Sequence, residues 1–133
     1  MRLSTKSEYA CLAILELSEQ YHSGYIKIPS IAEKKHIPRK YLEQILLALK
    51  RSGYVKSKMG NEGGYSLAKP PSEIFLAEII RLMDGALAPV HSVSRYFYEP
   101  TPIESAPKLL AVCAEIRDYV SNKLENTSFA DLM

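Results

Sequence analysis

The chain has 133 residues, of which 47% are hydrophobic and 24% are charged, and its net charge is +2. This composition is typical of an ordinary globular protein, and the length predicts one compact domain. The chain is too short for most enzyme folds that are built on a large sheet.

Neither a membrane span nor an export signal is evident in the sequence. No apolar run reaches the roughly 20 residues that a transmembrane helix needs, and residues 1–8 lack the apolar core and cleavage site of a signal peptide. We therefore expect a cytoplasmic protein without a membrane partner. The two cysteines, Cys11 and Cys113, lie in apolar helical patterns, which predicts that both are reduced residues of the core.

The two halves of the chain differ in charge. Residues 1–70 contain 12 Lys and Arg against 6 Asp and Glu, whereas residues 71–133 contain 5 against 9. The basic half predicts a head that binds a polyanion, and the acidic half predicts a separate part for assembly or sensing. Chance segregation of solvated charges is the alternative, and charge alone does not decide between the two.

The first predicted helix begins at Ser4 or Thr5, either of which can cap it, and ends at about Gln20. Its apolar residues cover more than one face, which indicates a central packing helix. Residues 25–28 are a candidate short strand.

Two further helices follow, separated by a tight break at residues 36–38. The second helix is predicted over residues 30–35 and the third over residues 39–51, where Ser52 and Gly53 end it. One face of the third helix is apolar and predicted to be buried. It consists of Leu42, Ile45, Leu46 and Leu49. The opposite face presents Lys40, Glu43, Gln44, Leu47 and Arg51.

A β-hairpin comes next. Two short strands are predicted over residues 54–58 and 65–68, on either side of the glycine-rich segment 59–64. An amphipathic fourth helix is predicted over residues 74–83. Four prolines within residues 89–107 predict little regular structure there.

The longest predicted helix covers residues 106–124 and would extend about 28 Å. Its apolar side chains recur with near-heptad spacing, which is typical of a dimerisation seam. They are Leu109, Val112, Cys113, Ile116, Val120 and Leu124. A last turn is predicted over residues 128–132.

This order of elements is the layout of a winged helix-turn-helix. We therefore predict a mainly α fold with a small β-hairpin and a long C-terminal dimerisation helix. Residues 1–85 would form a DNA-binding domain, residues 86–105 a connecting or sensing segment, and residues 106–133 the dimerisation helix and the C-terminal turn.

The exposed face of the third helix suits the reading of DNA bases. Gln44 can pair with adenine, Lys40 can donate to guanine and Glu43 can accept from cytosine. Cations for phosphate contacts stand at both helix ends and on the first wing strand. They are Arg39, Lys40, Lys50, Arg51, Lys56 and Lys58. The alternatives are an ordinary solvated helix face and a plain hairpin turn.

Several short motifs resemble those of one family of regulators. They are Ser4-Thr5-Lys6, Arg39-Lys40-Tyr41-Leu42-Glu43-Gln44, Gly63-Gly64-Tyr65, Ile79-Ile80-Arg81 and the terminal Thr127-Ser128-Phe129-Ala130-Asp131-Leu132. At this spacing they are similar to the Rrf-type bacterial winged helix-turn-helix transcriptional regulators, over nearly the whole chain. The resemblance implies a homodimeric repressor that binds double-stranded DNA at a palindromic operator. Its long helix would cross to the partner subunit.

The resemblance also implies which residues lie at the DNA. Residues of the third helix would contact bases in the major groove, the wing would lie over the minor groove, and Lys6, Tyr9 and Lys50 would lie nearer phosphates. The complete candidate set is Lys6, Tyr9, Arg39, Lys40, Tyr41, Glu43, Gln44, Lys50, Lys58, Asn61, Gly63, Gly64 and Tyr65.

The chain departs from the family pattern in three places. Residues 87–107 contain no cysteine, although many relatives hold an iron–sulfur cluster through three cysteines there, and His91 alone cannot replace them. We therefore expect no cofactor and no metal, as in the cluster-free branch that includes CymR. In the wing, Met59 stands where many relatives have Arg, which predicts an altered contact with DNA. Near the start of the chain, Glu8 stands where relatives often have Arg, which predicts a weaker phosphate contact.

The signal that would switch such a regulator stays open. Arg95 and the aromatic segment 96–98 could hold a small molecule or pack at the dimer interface, Cys11 or Cys113 could sense oxidants, and a protein effector could act instead. No nucleophile–base pair, phosphate loop or metal-ligand spacing points to an enzyme. The rival interpretation is a winged-helix module that binds proteins and no longer binds DNA.

Overall fold

The computed structural model describes residues 2–133, and in this part of the chain it has five α-helices and one two-stranded antiparallel sheet. In chain order the elements are α1 (Thr5–Glu19), α2 (Ile28–Lys35), α3 (Arg39–Arg51), β1 (Val55–Lys58), β2 (Gly64–Leu67), α4 (Leu76–Asp84) and α5 (Pro107–Glu125). Short 3-10 turns precede α4, connect α4 to α5 and follow α5. The predicted fold class is confirmed.

Helix α1 is the central helix of the fold, as its apolar pattern predicts. Ala10, Ala13 and Ile14 have no exposed surface, and the helix packs against α2, α3, α4 and β2. Ser4 begins it, because its side-chain oxygen accepts a hydrogen bond from the backbone N–H of Ser7 at 3.1 Å.

The segment before α2 differs from the prediction. Only Ile26 pairs as a strand, in an antiparallel bridge with Tyr65, so the candidate strand over residues 25–28 is too long. Ile28 already belongs to α2, which begins two residues earlier than expected because Pro29 has a backbone angle preset for the first helical turn. His36 adopts a left-handed conformation (φ 54°) and ends the helix.

Helix α3 has the predicted bounds, residues 39–51. All four residues of its apolar face are fully buried in the main core. The opposite face is therefore directed to solvent, because the 3.6-residue period places the two sets on opposite sides of the helix.

The wing, defined as residues 55–67, is held closed by two glycines. A Cβ atom on Gly63 would collide with the carbonyl oxygen of Lys58, and one on Gly64 would collide with that of Ile26. Gly64 also has φ of +138°, a conformation that L-residues rarely adopt. These positions allow β2 to lie against both β1 and the Ile26 segment.

The chain after α5 returns to the first part of the fold. The backbone N–H of Phe129 donates to the carbonyl oxygen of Ile74 at 2.9 Å, and the Phe129 side chain is fully buried in the main core. Phe129 thus packs in the main core, to which α1 and α3 also contribute, although the predicted boundaries place it in one segment with the long helix. None of the helices in residues 2–133 is long and apolar enough to cross a membrane.

Candidate nucleic-acid interface

The exposed face of α3 presents most of the residues predicted to contact bases. Lys40, Glu43 and Gln44 are all exposed, and no side-chain hydrogen bond or ion pair within residues 2–133 involves them. Their donors and acceptors are therefore free for a ligand.

Tyr41 is the aromatic member of this face, and 49% of it is exposed. Its ring meets the ring of Tyr9 edge to face, with the centroids 5.6 Å apart. Tyr9 is half-buried on α1, and Lys6 lies exposed one turn earlier. The aromatic pair thus places the start of α1 beside the exposed face of α3.

Lys50 connects the end of α3 to the wing. Its ammonium group donates a hydrogen bond to the Ser57 hydroxyl at 2.6 Å. Ser57 lies on β1, so this contact fixes the orientation of the wing relative to α3. The ammonium remains exposed and keeps further donors for a phosphate.

Two lysines of the wing lie against an aromatic ring that is not among the predicted site residues. The ammonium groups of Lys56 and Lys58 each lie 5.8 Å from the centroid of the Tyr25 ring, within the range of a cation–π contact. The spacing of the two lysines on one face of a strand was visible in the sequence. Their shared partner was not, because Tyr25 lies some thirty residues earlier in the chain.

The predicted wing residues have different surroundings. Asn61 is exposed near the tip beside Met59, of which 93% is exposed. Gly63 is buried and Tyr65 is half-buried, with Tyr65 pairing to Ile26 through two backbone hydrogen bonds of 2.8 Å. The contacts seen for Gly63, Gly64 and Tyr65 close the wing and do not by themselves indicate a ligand.

Helix α5 exposes an apolar stripe made of Leu109, Val112, Ile116 and Tyr119. The first three belong to the predicted seam, and Tyr119, which is 79% exposed, was missed because a tyrosine does not stand out in an aliphatic pattern. Leu124, at the other end of the predicted seam, instead packs within the same chain, against a small cluster of Ala77, Ile80 and Leu87. Cys113 and Val120 are half-buried.

In the candidate effector-binding segment, residues 95–98, the polar side chains already contact other residues of the same chain. Arg95 donates to Asp118 at 2.8 Å, and the Tyr98 hydroxyl donates to Glu104 at 2.6 Å. The guanidinium of Arg81 lies 4.8 Å from the centroid of the Tyr96 ring. A small molecule would have to displace these contacts to be held there.

Cys11 is a poor candidate for a thiol sensor. Burial, together with the nearby charge of Asp84, raises the pKa of its thiol to about 11. A thiolate is the species that reacts with oxidants, so a raised pKa lowers reactivity. Both cysteines are free and only partly buried.

Comparisons with known proteins agree on one family. The family model Rrf2, described as an iron-dependent transcriptional regulator, matches residues 3–133. The regulator CymR of Bacillus subtilis is 32% identical over 132 residues, which are 99% of this chain and 89% of that protein. The solved structure of B. subtilis CymR, described as a global cysteine regulator, superposes with a TM-score of 0.86 and covers 99% of this chain and 95% of that chain.

Two other solved structures are similar. The oxidised form of Staphylococcus aureus CymR is 35% identical, with a TM-score of 0.76, and covers 99% of this chain and 95% of that chain. IscR of T. potens is 28% identical, with a TM-score of 0.71, and covers 99% of this chain and 85% of that chain.

Proposed function

Because this chain belongs to the Rrf2 family of helix-turn-helix transcriptional regulators, we propose that it is a repressor that binds a palindromic DNA operator as a homodimer. The observation that best supports this proposal is the free polar face of α3, which lies beside the wing across a groove that both line. A duplex can meet both elements at once, because a recognition helix and a wing contact adjacent parts of DNA.

In this proposal α3 enters the major groove and reads bases. Gln44 pairs with adenine, Lys40 donates to guanine and Glu43 accepts from cytosine. Phosphates are bound by the cations around the helix, namely Lys6, Arg39 and Lys50. Tyr9 supports Tyr41 at the same surface, and Lys58 and Asn61 extend this surface onto the wing.

The apolar stripe of α5 supports the homodimer. Leu109, Val112, Ile116 and Tyr119 form a continuous line on one face of a helix, and such a line is unfavourable in water. A second copy covers it symmetrically, because a two-fold dimer buries the same patch on both subunits. The same symmetry axis places two α3 helices against two half-sites, which explains why the operator is expected to be palindromic.

An iron–sulfur cluster does not fit the donors of this chain. Such clusters need thiolates, and the sequence has two cysteines, on α1 and on α5. Within residues 2–133 no group of three or more His, Cys, Asp or Glu side chains is close enough to hold a metal ion. We therefore propose that this member works without the cluster. Because its relatives are transcriptional regulators, we also propose that it acts in the cytoplasm and without catalytic activity.

A binding assay with duplexes from the gene's own upstream region tests the proposal. The wild type is expected to prefer one palindromic fragment over an unrelated duplex, and Gln44→Ala is expected to lose that preference. Gln20→Ala, the same change at the end of α1, serves as the control and should bind like the wild type. Equal binding of both duplexes by the wild type would contradict sequence-specific recognition, and binding of neither duplex would leave the protein-interaction module as the better interpretation.

Repression is tested separately with a reporter gene behind the selected fragment. Expression of the wild type should lower reporter output, and expression of Gln44→Ala should not. A rise in output with the wild type would identify an activator.

A further inference from the structure

A basic groove separates the wing from the helix-turn-helix. It has a volume of about 470 Å³ and lies between the start of α2, the first turns of α3 and the wing. Its charged side chains are Lys27, Arg39, Glu43 and Lys58. Three cations and one carboxylate give the groove a net charge of about +2 at neutral pH.

Lys27 is not among the residues that the sequence predicts to contact DNA. It precedes α2 and follows Ile26, which pairs with Tyr65 on β2. This pairing places Lys27 against the wing, where its ammonium group donates a long hydrogen bond of 3.4 Å to the carbonyl oxygen of Gly60. An ammonium group has three donors, so at least two remain for a ligand.

The three cations of the groove have no acidic partners of their own. Among residues 2–133, no carboxylate oxygen lies within 4.0 Å of the charged nitrogens of Lys27, Arg39 or Lys58. Lysines on α2 differ in this respect, since Lys34 and Lys35 both pair with Glu16. Unpaired cations that face one groove attract an anion, because their mutual repulsion is relieved when it binds.

The tip of the wing contrasts with the groove. Residues 59–64 contain no Lys or Arg, and Met59 and Glu62 are exposed there. The positive charge of the wing therefore lies on β1, where Lys58 lines the groove, and not at the tip. A wing with this distribution has more electrostatic attraction for the DNA backbone beside α3 than for a narrow minor groove beneath its tip.

We propose that this groove binds one strand of the DNA phosphate backbone and that Lys27 is a phosphate ligand outside both the recognition helix and the wing. The inference rests on the proposed function, because it requires α3 to lie on a duplex. Arg39 and Glu43 line the groove and also belong to the exposed face of α3, so the groove continues the surface that reads bases. The DNA strand next to the major-groove contact of α3 would therefore pass through this groove.

The test measures DNA affinity over a series of salt concentrations for the selected operator and an unrelated duplex. Lys27→Gln should weaken binding to both by the same factor, on the order of tenfold at 0.2 M salt for a dimer that loses two contacts. The slope of log affinity against log salt should become shallower by about 1.8, which is about 0.9 for each lost phosphate contact. Lys27→Arg should retain the wild-type slope.

Two controls separate this result from other causes. Lys108→Gln removes the same charge from the exposed first turn of α5 and should leave the slope unchanged. Thermal unfolding of Lys27→Gln should match that of the wild type, because the side chain is exposed. A wild-type slope in Lys27→Gln, or a loss confined to the operator, would overturn the inference. Equal binding of the two duplexes by the wild type would instead contradict the proposed function, and the slope on either duplex would still report on Lys27.

Discussion

The carboxylate of Asp84, at the end of α4, accepts a hydrogen bond from the backbone N–H of Ser4 at 3.0 Å and another from the Ser4 hydroxyl. The Ser4 hydroxyl oxygen in turn accepts the N–H of Ser7 and caps α1. The pair joins the end of α4 to the beginning of α1, where the positive end of the helix dipole favours a carboxylate. Two segments 80 residues apart are therefore fixed by one side-chain contact.

Replacing Ser4 should destabilise the fold. Ser4→Ala removes the hydroxyl group that caps α1 and donates a hydrogen bond to Asp84. We therefore expect the free energy of unfolding to fall by about 1 kcal/mol. Urea unfolding followed by circular dichroism measures the difference. Thr5→Ala, one residue later and without a side-chain hydrogen bond, should change stability much less, and equal losses in the two variants would contradict the capping role.

The same contact predicts a pH dependence. Burial alone would raise the pKa of Asp84, but the two hydrogen bonds from Ser4, together with the nearby charge of Lys6, outweigh it, and the pKa lies below its ordinary value of 3.8. A lowered folded-state pKa stabilises the protein above the unfolded-state pKa, and this contribution is lost as the pH falls through the folded-state value. The stability advantage of the wild type over Asp84→Asn should therefore shrink below about pH 4. A stability difference between the two proteins that is constant from pH 6 to pH 3 would argue against this role of Asp84.

Gly64 should tolerate no side chain. A Cβ atom there meets the backbone of Ile26, and φ is +138°, so Gly64→Ala should cost about 1–3 kcal/mol or more and loosen the wing. The matched change is Gly60→Ala, where φ is also positive but the space is open. Chemical unfolding should show the larger loss for Gly64→Ala, together with weaker DNA binding. The interpretation of Gly64 as a packing residue fails if the two variants behave alike.

Cys11 should react slowly with thiol reagents near neutral pH. With a pKa of about 11, roughly one thiol in a thousand is ionised at pH 8. In a Cys113→Ser protein, in which Cys11 is the remaining cysteine, the labelling rate with a chromogenic disulfide should rise about tenfold per pH unit up to pH 10. Fast labelling at pH 7 would restore Cys11 as a candidate sensor.

The apolar stripe of α5 should determine the oligomeric state. Ile116→Glu places a charge in the centre of the stripe, so we expect sedimentation to show a monomer with much weaker operator binding. Ala111→Glu introduces the same residue on the exposed side of α5 away from the stripe and should remain dimeric. A dimeric Ile116→Glu protein would exclude this face as the interface.

Periodic and capping patterns along the chain are sufficient to predict the elements whose determinants are local. The apolar face of α3 repeats every three to four residues, so its bounds and its four buried residues follow from periodicity alone. Ser4 was a candidate cap because hydroxyl side chains before a helix bind its free N–H groups. The face of α3 that could read DNA was the complement of its buried face.

Contacts between residues far apart in the chain could not be predicted in this way and are seen in the folded protein. Asp84 at Ser4, Tyr25 beneath the wing lysines and Lys27 in the groove all depend on backbone pairing and helix packing between segments far apart in the chain. Two consecutive glycines, Gly63 and Gly64, are typical of a flexible loop in a sequence. In the structure, however, both lie in close contact with neighbouring backbone atoms. Local patterns report which residues prefer burial or a turn. They do not indicate which distant residue each one contacts, because those contacts depend on the packing of the whole core.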